Sequence, residues 1–439
     1  MVPFRKDVNE VRKYVGKPIP RYDSLGHVTG KTVFVNDISL PGMLTVKVRR
    51  SNVARGIIKN IDTSKAKEVK GVYAVLTGAD VPHNIYGFYP DQPVLADKEV
   101  RFFGQPIVGV AAIDEDTAME ALQLVKIDIE ELKPVLDPIE AMKEGSPLVR
   151  PEGNLWEFDE GVHYRRVRVG DIEAGLREAD FVIKGEYSTP VQEHAMLEPN
   201  CAIGDIDESG RINVYTMSQG IFFHHGMLAS VLQLPMNKIN MIGGTVGGGF
   251  GGRNDLHSDH LAALMALKTQ KPCKWLWTRE EEMICSQHRG AWSFSLEYGV
   301  KADGRITAAK IKTIHDTGAY AGFGPYAVDK SCFTITGPYN IPNVYIDGYC
   351  VFTNKQVATS MRGFGINVGQ FATEVHLDKV AREINMSPWD LRFINAWKEG
   401  AISATRQKMH AVGIIETLQA TAKLAGEELS DEYLSMSSK

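Results

Sequence analysis

Two glycine-bracketed segments hold the residues whose types and spacing best suit chemistry. The first is Gly243-Gly244-Thr245-Val246-Gly247-Gly248-Gly249-Phe250-Gly251-Gly252, with seven glycines in ten residues. Such a run gives up more conformational entropy on folding than any other composition. In exchange it offers bare N–H groups that a ligand can approach closely, and ready access to positive φ. The second is Met361-Arg362-Gly363-Phe364-Gly365, where a lone phenylalanine again stands between glycines. Upstream of both, Gln219 carries an amide that can donate to an oxo-type oxygen without adding charge. Each has a plainer reading. By residue type alone, the glycine run fits a strand-to-helix turn as well as a cofactor loop, Gln219 an exposed turn residue, and Phe364 a core aromatic. His257 and His260 beside Asp255 and Asp259 have the types of a metal set, but the grouping fits a solvated helix start better, as does His224-His225. No Ser-His-Asp set or nucleophile elbow is recognisable.

Two familiar phosphate-binding loops fit poorly. A P-loop ends in Gly-Lys-Ser/Thr, whereas Gly252 is followed by Arg253-Asn254. A G-x-G-x-x-G fingerprint can be forced onto any run this rich in glycine, and its surroundings do not read as a βαβ unit.

The elements that must position these segments can be read coarsely. At 439 residues the chain has room for two or three domains with ample core. A net charge of −5 without a basic stripe argues against nucleic acid as a partner. The five cysteines are scattered with no C-x-x-C, which supports neither a zinc site nor an iron–sulfur cluster and fits a reducing cytoplasm. The start, Met1–Asp7, has no apolar signal-peptide core, and no apolar run is long enough to span a bilayer.

Residues 16 to about 140 read as mixed α/β, with strands at Thr32–Val35, Leu44–Val48, Val72–Leu76 and Ile107–Ala112 and a helix at Glu115–Leu124. The proline- and glycine-rich stretch Gly145–Glu157 reads as a connector. Beyond it come a strand at Phe181–Tyr187, a hairpin turning at Ser209-Gly210, and a helix through Met227–Leu234. The β-run Ile239–Ile242 then enters the glycine loop. A helix from Ser258 is expected to bury one face, marked by Leu261, Leu264, Met265 and Lys268. Thr278 and Glu281 form a capping box. Trp292–Val300 alternates as a half-buried strand that turns at Asp303-Gly304. After the second glycine segment, a helix should direct Phe371, Val375, Ala381 and Ile384 inward. Ser387-Pro388 opens another helix.

Gly-Gly-Gly-Phe-Gly-Gly after a β-run resembles the molybdenum-cofactor loop of the xanthine oxidase family, the molybdenum hydroxylases. The order and spacing of Val28-Thr29-Gly30-Lys31, Pro41-Gly42-Met43-Leu44, Ile61-Asp62-Thr63-Ser64, Gly71-Val72, Gly104-Gln105-Pro106 and Gln192-Glu193-His194 extend the resemblance along nearly the whole chain. It implies an α+β or mixed α/β fold: an N-terminal hammerhead domain over residues 1–144, a connector at 145–165, the first half of the molybdenum-cofactor-binding domain at 166–426, and a polar tail at 427–439. It also implies site roles. Gln219 would hydrogen-bond the apical oxo ligand of molybdenum. Phe250 and Gly251 would bring a backbone N–H to the cofactor and a ring to the substrate. Arg362 and Gly363 would line the cofactor, and Phe364 would stack on the substrate ring. No side chain would ligate the metal, which the pterin holds near Gln219.

Two departures bear on substrate. Purine-hydroxylating relatives carry glutamate where this chain has Asn254, and arginine at about the position of Lys330, a residue that fits a surface lysine equally well. Asparagine both donates and accepts, and lysine keeps the charge but loses the planar fork. A positive group suits a carboxylated or electron-rich substrate, or a developing anion.

The resemblance covers only the first half of the family's molybdenum subunit, and no Gly-Glu element bearing the general-base glutamate appears. It therefore implies a naturally split subunit like those of nicotinate dehydrogenase-like enzymes, with the base on a second molybdopterin-binding chain. The cofactor would be molybdopterin or its cytosine dinucleotide form. Iron–sulfur and FAD centres would sit on partner subunits, and an electron-poor carbon of an N-heteroaromatic substrate, nicotinate- or purine-like, would be hydroxylated with water as the oxygen source. Alternatives are an aldehyde-oxidising member of the same family, a non-catalytic assembly subunit, and a nucleotide-binding protein using the glycine loop.

Overall fold

A computed structural model describes residues 13–439, so the reading of Met1–Asp7 lies outside the described residues. Among the described residues, three sheets organise the chain. The largest has seven strands, in the order Ile239–Gly243, Ile212–Thr216, Cys201–Ile206, Cys273–Leu276, Leu44–Arg50, Pro106–Ala112, Val72–Leu76. Its two ends come from distant parts of the chain. They meet where Leu44 and Thr45 pair in parallel with Cys273 and Lys274. The N-terminal α/β part therefore shares one continuous sheet, and one apolar core, with the part that carries the glycine loop.

A three-stranded sheet, Glu99–Val100, Gly56–Asp62 and Lys126–Glu131, packs beside the helix Glu115–Leu124. That helix runs as expected, with Asp114 as its N-cap and Ala118, Ala121 and Leu122 buried. The strands Gly56–Asp62 and Lys126–Glu131 escaped sequence reading because they are half-exposed and polar: the first lacks clean alternation, and the second alternates over only Lys126–Ile129. Thr32–Val35 is not a strand. Phe34 makes one isolated bridge to Thr245, and Val35–Asp37 then turns as a short 3-10 helix.

The third sheet has five strands, in the order Arg165–Val169, Asn343–Phe352, Ile306–Gly318, Trp292–Val300, Phe181–Thr189. Trp292, Phe294, Leu296 and Tyr298 point into its core, as their alternation predicts. The helices Gly324–Thr334 and Ile366–Glu383 cover this face. The inward stripe of the second is displaced from the expected one. Val368, Ala372, His376, Leu377 and Val380 are buried; Ala381 is buried and Ile384 packs on the core as expected, whereas Phe371 (46% exposed) and Val375 (38% exposed) face out. The reason is the neighbouring helix. Gly369 packs against Ser331 and Ile335, which sets the rotation of the whole element.

The helix Asp259–Thr269 also differs from expectation. Every residue from Asp259 to Ala266 is buried, because the helix lies between the large sheet and the helix Ile221–Leu232. A one-faced reading fails for a helix enclosed on all sides. Its approach to the sheet depends on Gly204. A Cβ there would lie 2.4 Å from the Ala262 carbonyl oxygen, a backbone atom with no room to move. Gly204→Val should therefore cost about 1–3 kcal/mol or more, read as a lowered urea midpoint. An unchanged midpoint would mean that the helix can slide.

The stretch expected as a polar tail is docked. Asp431–Ser435 forms a short helix, Tyr433 stacks on Phe393 at 4.6 Å, and Ser438 is buried against Glu416. All five cysteines are buried and unpaired. No helix among the described residues is long and apolar enough to cross a membrane.

Candidate functional site

The site forms where two parallel strands end together. Ile212–Thr216 and Ile239–Gly243 run in parallel register, with Thr216 opposite Gly243. The first leads into Met217–Gly220 and the second into the glycine loop, so both segments leave the sheet at the same edge. Ligands commonly bind at this carboxyl end of parallel strands. Gln219 hooks onto the loop beside it. Its Oε1 accepts from the N–H groups of Gly251 (2.9 Å) and Arg253 (3.2 Å). Two backbone donors converging on one atom identify that atom as the amide oxygen. The amide NH2 must then point the other way, and it bonds no protein atom among the described residues.

The second glycine segment closes onto the first. The Arg362 N–H donates to the Phe250 carbonyl at 2.8 Å, and the Ser360 hydroxyl donates to the Gly251 carbonyl at 2.9 Å. Gly251 has φ +106°, and a Cβ on it would stand 2.4 Å from the Ser360 carbonyl oxygen. Only glycine fits between the two loops. Phe250 and Phe364 both adopt left-handed backbone, at φ +53° and +30°. For non-glycine residues this costs about 1–3 kcal/mol each, and it concentrates at functional sites.

Asn254 joins this group: its Nδ2 donates to Ser360 Oγ at 2.7 Å. Gly363 lies against Asn367 at the start of the following helix. Lys330 sits one step further out, with Nζ 5.0 Å from the Tyr326 ring centroid. Tyr326 in turn meets Phe364 edge-on at 5.4 Å. The structure thus brings Gln219, Phe250, Gly251, Asn254, Arg362, Gly363 and Phe364 into one contact network and sets Lys330 at its aromatic margin.

One N–H expected at the open face is engaged elsewhere. Gly251 gives its own to Gln219, whereas those of Gly248, Gly249 and Phe250 donate to no protein acceptor among the described residues.

Sequence reading missed the aromatic wall. Phe364 contacts Phe323 (6.2 Å), Phe323 stacks on Phe88 (4.7 Å), and Phe88 meets Phe223 (6.1 Å). Phe88 comes from the N-terminal part and Phe223 from the helix after Gln219. No local spacing signals that they meet.

The histidine–aspartate group is not a solvated helix start. Asp255, His257, Asp259, His260 and His224 are all buried, while His225 is half-buried. His257 Nε2 bonds the Gly252 carbonyl at 2.8 Å, and Thr359 donates to Asp255, so these side chains brace the loop from behind. No cluster of three His, Cys, Asp or Glu able to hold a metal exists among the described residues.

Burial sets the titration of this region. It raises the Asp255 carboxyl from 3.8 to about 6 and lowers His257 and His315 from 6.5 to about 3 and His260, His288 and His376 to about 4. A carboxyl raised by folding adds stability that is full below pH 3.8 and lost as pH rises through about 6. A histidine lowered by folding adds stability that is full above pH 6.5 and lost as pH falls through 3–4. Six lowered histidines, His194 among them, oppose the raised carboxyls of Asp255, Asp91, Glu198, Glu282 and Asp329. Because the histidines lose stability from pH 6.5 downward, the thermal midpoint should fall as pH drops from 6.5 to 4.5. A midpoint that stays level or rises over that window in near-UV circular dichroism would contradict these placements.

The donor set fits a particular kind of ligand. Among the described residues it consists of uncharged backbone N–H groups and the Gln219 carboxamide, with no imidazole, thiolate or carboxylate grouped to ligate a metal. Such a cradle suits an anionic cofactor that brings its metal on its own organic ligand.

Comparison with known proteins agrees. The sequence profile of the molybdopterin cofactor-binding domain matches residues 157–396, more than half of the chain, and that of the aldehyde oxidase and xanthine dehydrogenase a/b hammerhead domain matches residues 29–133. The chain belongs to the xanthine dehydrogenase and aldehyde oxidase family of molybdenum-dependent oxidoreductases, as a hammerhead domain followed by a molybdopterin cofactor-binding domain. The nicotinate dehydrogenase large molybdopterin subunit of Eubacterium barkeri is 34% identical over 95% of this chain and 98% of its own length. The solved aldehyde oxidoreductase from Desulfovibrio gigas superposes with a TM-score of 0.87 at 26% identity over 92% of this chain. Quinoline 2-oxidoreductase from Pseudomonas putida 86 superposes with a TM-score of 0.86 at 25% identity over 93%. The chain spans about half of these two solved chains, 46% and 54% respectively.

Proposed function

We propose that this chain is the molybdopterin-binding subunit of a multi-subunit hydroxylase that acts on an electron-poor carbon of an N-heteroaromatic, carboxylated substrate of the nicotinate kind. The contact between the two glycine loops carries the reading: the Arg362 N–H on the Phe250 carbonyl places the candidate cofactor donors and the Phe364 ring in one network. The match over nearly the full length of a nicotinate dehydrogenase large molybdopterin subunit supports both the substrate class and a split architecture. On that reading a second molybdopterin-binding chain supplies the general-base glutamate, and partner subunits carry the iron–sulfur clusters and FAD.

When bound, the cofactor, as molybdopterin or its cytosine dinucleotide, supplies the two-electron redox centre and the site at which water-derived oxygen is activated. The residues of this chain do the rest. Gln219 holds an uncharged donor toward an oxo group, and its orientation is fixed by the loop it grips. Gly248, Gly249 and Phe250 offer N–H groups to the cofactor, and Arg362 and Gly363 line its other side. Phe364, backed by Phe323 and Phe88, offers a face for a planar ring. Asn254 lies beside Gly220, and its carboxamide oxygen accepts from no protein donor among the described residues, so it can accept from a ring N–H. Lys330 favours a substrate carboxylate approaching over Tyr326.

Molybdenum and pterin analysis of the assembled complex tests the proposal. About one of each per copy is expected, together with turnover of nicotinate-like acids over simple aldehydes. A complex that is active without metal or pterin would end the proposal. Preference for aldehydes would move the chain to the aldehyde-oxidising branch. Turnover unaffected by Gln219→Ala or Phe364→Ala would make it an assembly subunit.

A further inference from the structure

Arg253 follows the glycine run directly, yet its side chain takes no part in the open site. It is 1% exposed, one of the largest fully buried side chains of the protein. Its guanidinium fork is spread over three acceptors. Nε donates to the Gly248 carbonyl at 3.2 Å, one terminal nitrogen to Asn200 Oδ1, and the other to the Glu198 carbonyl. Asn200 is itself anchored by the buried carboxylate of Glu282, which accepts from its backbone N–H and from Nδ2. Glu198 completes the circuit from the far end of the loop, its Oε2 accepting the Gly247 N–H at 2.6 Å. The Arg253 backbone N–H is one of the two donors that fix Gln219 Oε1.

One residue therefore ties down the Gly248 carbonyl, and hence the peptide that carries the Gly249 N–H. It also ties down the strand-end segment Glu198–Asn200 and the amide of Gln219. A buried guanidinium keeps its proton and is tolerated because carboxylates surround it. Lysine would keep the charge but could not reach three acceptors that diverge in the plane of the fork.

We propose that Arg253 is a positioning residue. Its fork sets the conformation of Gly247–Phe250, so that the N–H groups of Gly248, Gly249 and Phe250 are presented together and the Gln219 amide faces outward. The identity of the ligand so presented rests on the proposed function; the bracing of the loop does not.

Hydrogen exchange of the peptide covering 243–254, measured on the assembled complex, tests this. Arg253→Lys should exchange there about tenfold faster than the parent and lose most of its molybdenum and pterin. Its global melting should stay close to that of a control, Arg50→Lys, which replaces another guanidinium paired with a carboxylate outside the loop. The control should leave exchange at 243–254 and cofactor content unchanged. Equal exchange and equal cofactor in parent and Arg253→Lys would overturn the proposal, since charge alone would then suffice. If Arg253→Lys fails to accumulate, Glu282→Gln keeps the fork while it loosens the Asn200 anchor and removes one of the carboxylates that balance the guanidinium. A partial rise in exchange is then expected, and none would equally overturn the idea. A parent complex without molybdenum would remove the proposed function and leave the exchange comparison intact.

Discussion

Gln219→Glu lowers steady-state turnover of the assembled enzyme by about 10²–10³-fold while molybdenum and pterin stay in place. The substitution separates two jobs of one side chain. A carboxylate still accepts the Gly251 and Arg253 N–H groups, so the loop keeps its shape. What disappears is the outward NH2, replaced by an acceptor with a negative charge where a donor is needed. Losing one preorganised donor at a site of developing charge costs about 2.7–4 kcal/mol in comparable enzymes. Gln219→Ala should be worse in kind, because it also releases the two N–H groups and with them some of the cofactor. Turnover within about threefold of the parent for Gln219→Glu would show that the amide serves only the loop.

Gly251→Ala abolishes cofactor retention. The new Cβ would meet the Ser360 carbonyl oxygen at 2.4 Å and the Met361 Cα at 3.1 Å, both backbone atoms of the opposing segment. The backbone at Gly251 also sits at φ +106°, outside the range an alanine adopts without strain. The chain can relieve the clash only by parting the two loops, which breaks the Arg362–Phe250 and Ser360–Gly251 hydrogen bonds. Fold stability should fall only modestly, since the loops reach the apolar cores only through Phe364 and Val246 at their margins. Molybdenum and pterin in the purified complex should drop by more than about tenfold. Full occupancy in Gly251→Ala would mean that the cofactor does not depend on closure of the two segments.

The two glycine segments were legible in the sequence because glycine density and isolated phenylalanines are local signals. Strands such as Trp292–Val300, the Thr278–Glu281 capping box and the helix Glu115–Leu124 were legible for the same reason. What failed was non-local. The first half of the inward face of Ile366–Glu383 was misjudged, at Phe371 and Val375, because Gly369, packing on Ser331 and Ile335, decides the rotation there, and Phe371 cannot reveal that. The histidines and aspartates near 257 read as solvated because their types are polar, and only the fold encloses them. Phe88 and Arg253 were invisible as site residues. Phe88 arrives from a different part of the chain. Arg253 is indistinguishable from any other arginine until three acceptors converge on it.

The central claim is that two bare-backbone loops from different sheets hold one pterin-borne metal. Anomalous X-ray scattering at the molybdenum edge from crystals of the intact complex tests it most directly. The account predicts a single molybdenum peak per copy in the space between Gly248–Phe250 and Arg362–Phe364, on the NH2 side of Gln219. A peak remote from these loops, or none in an active complex, would contradict it.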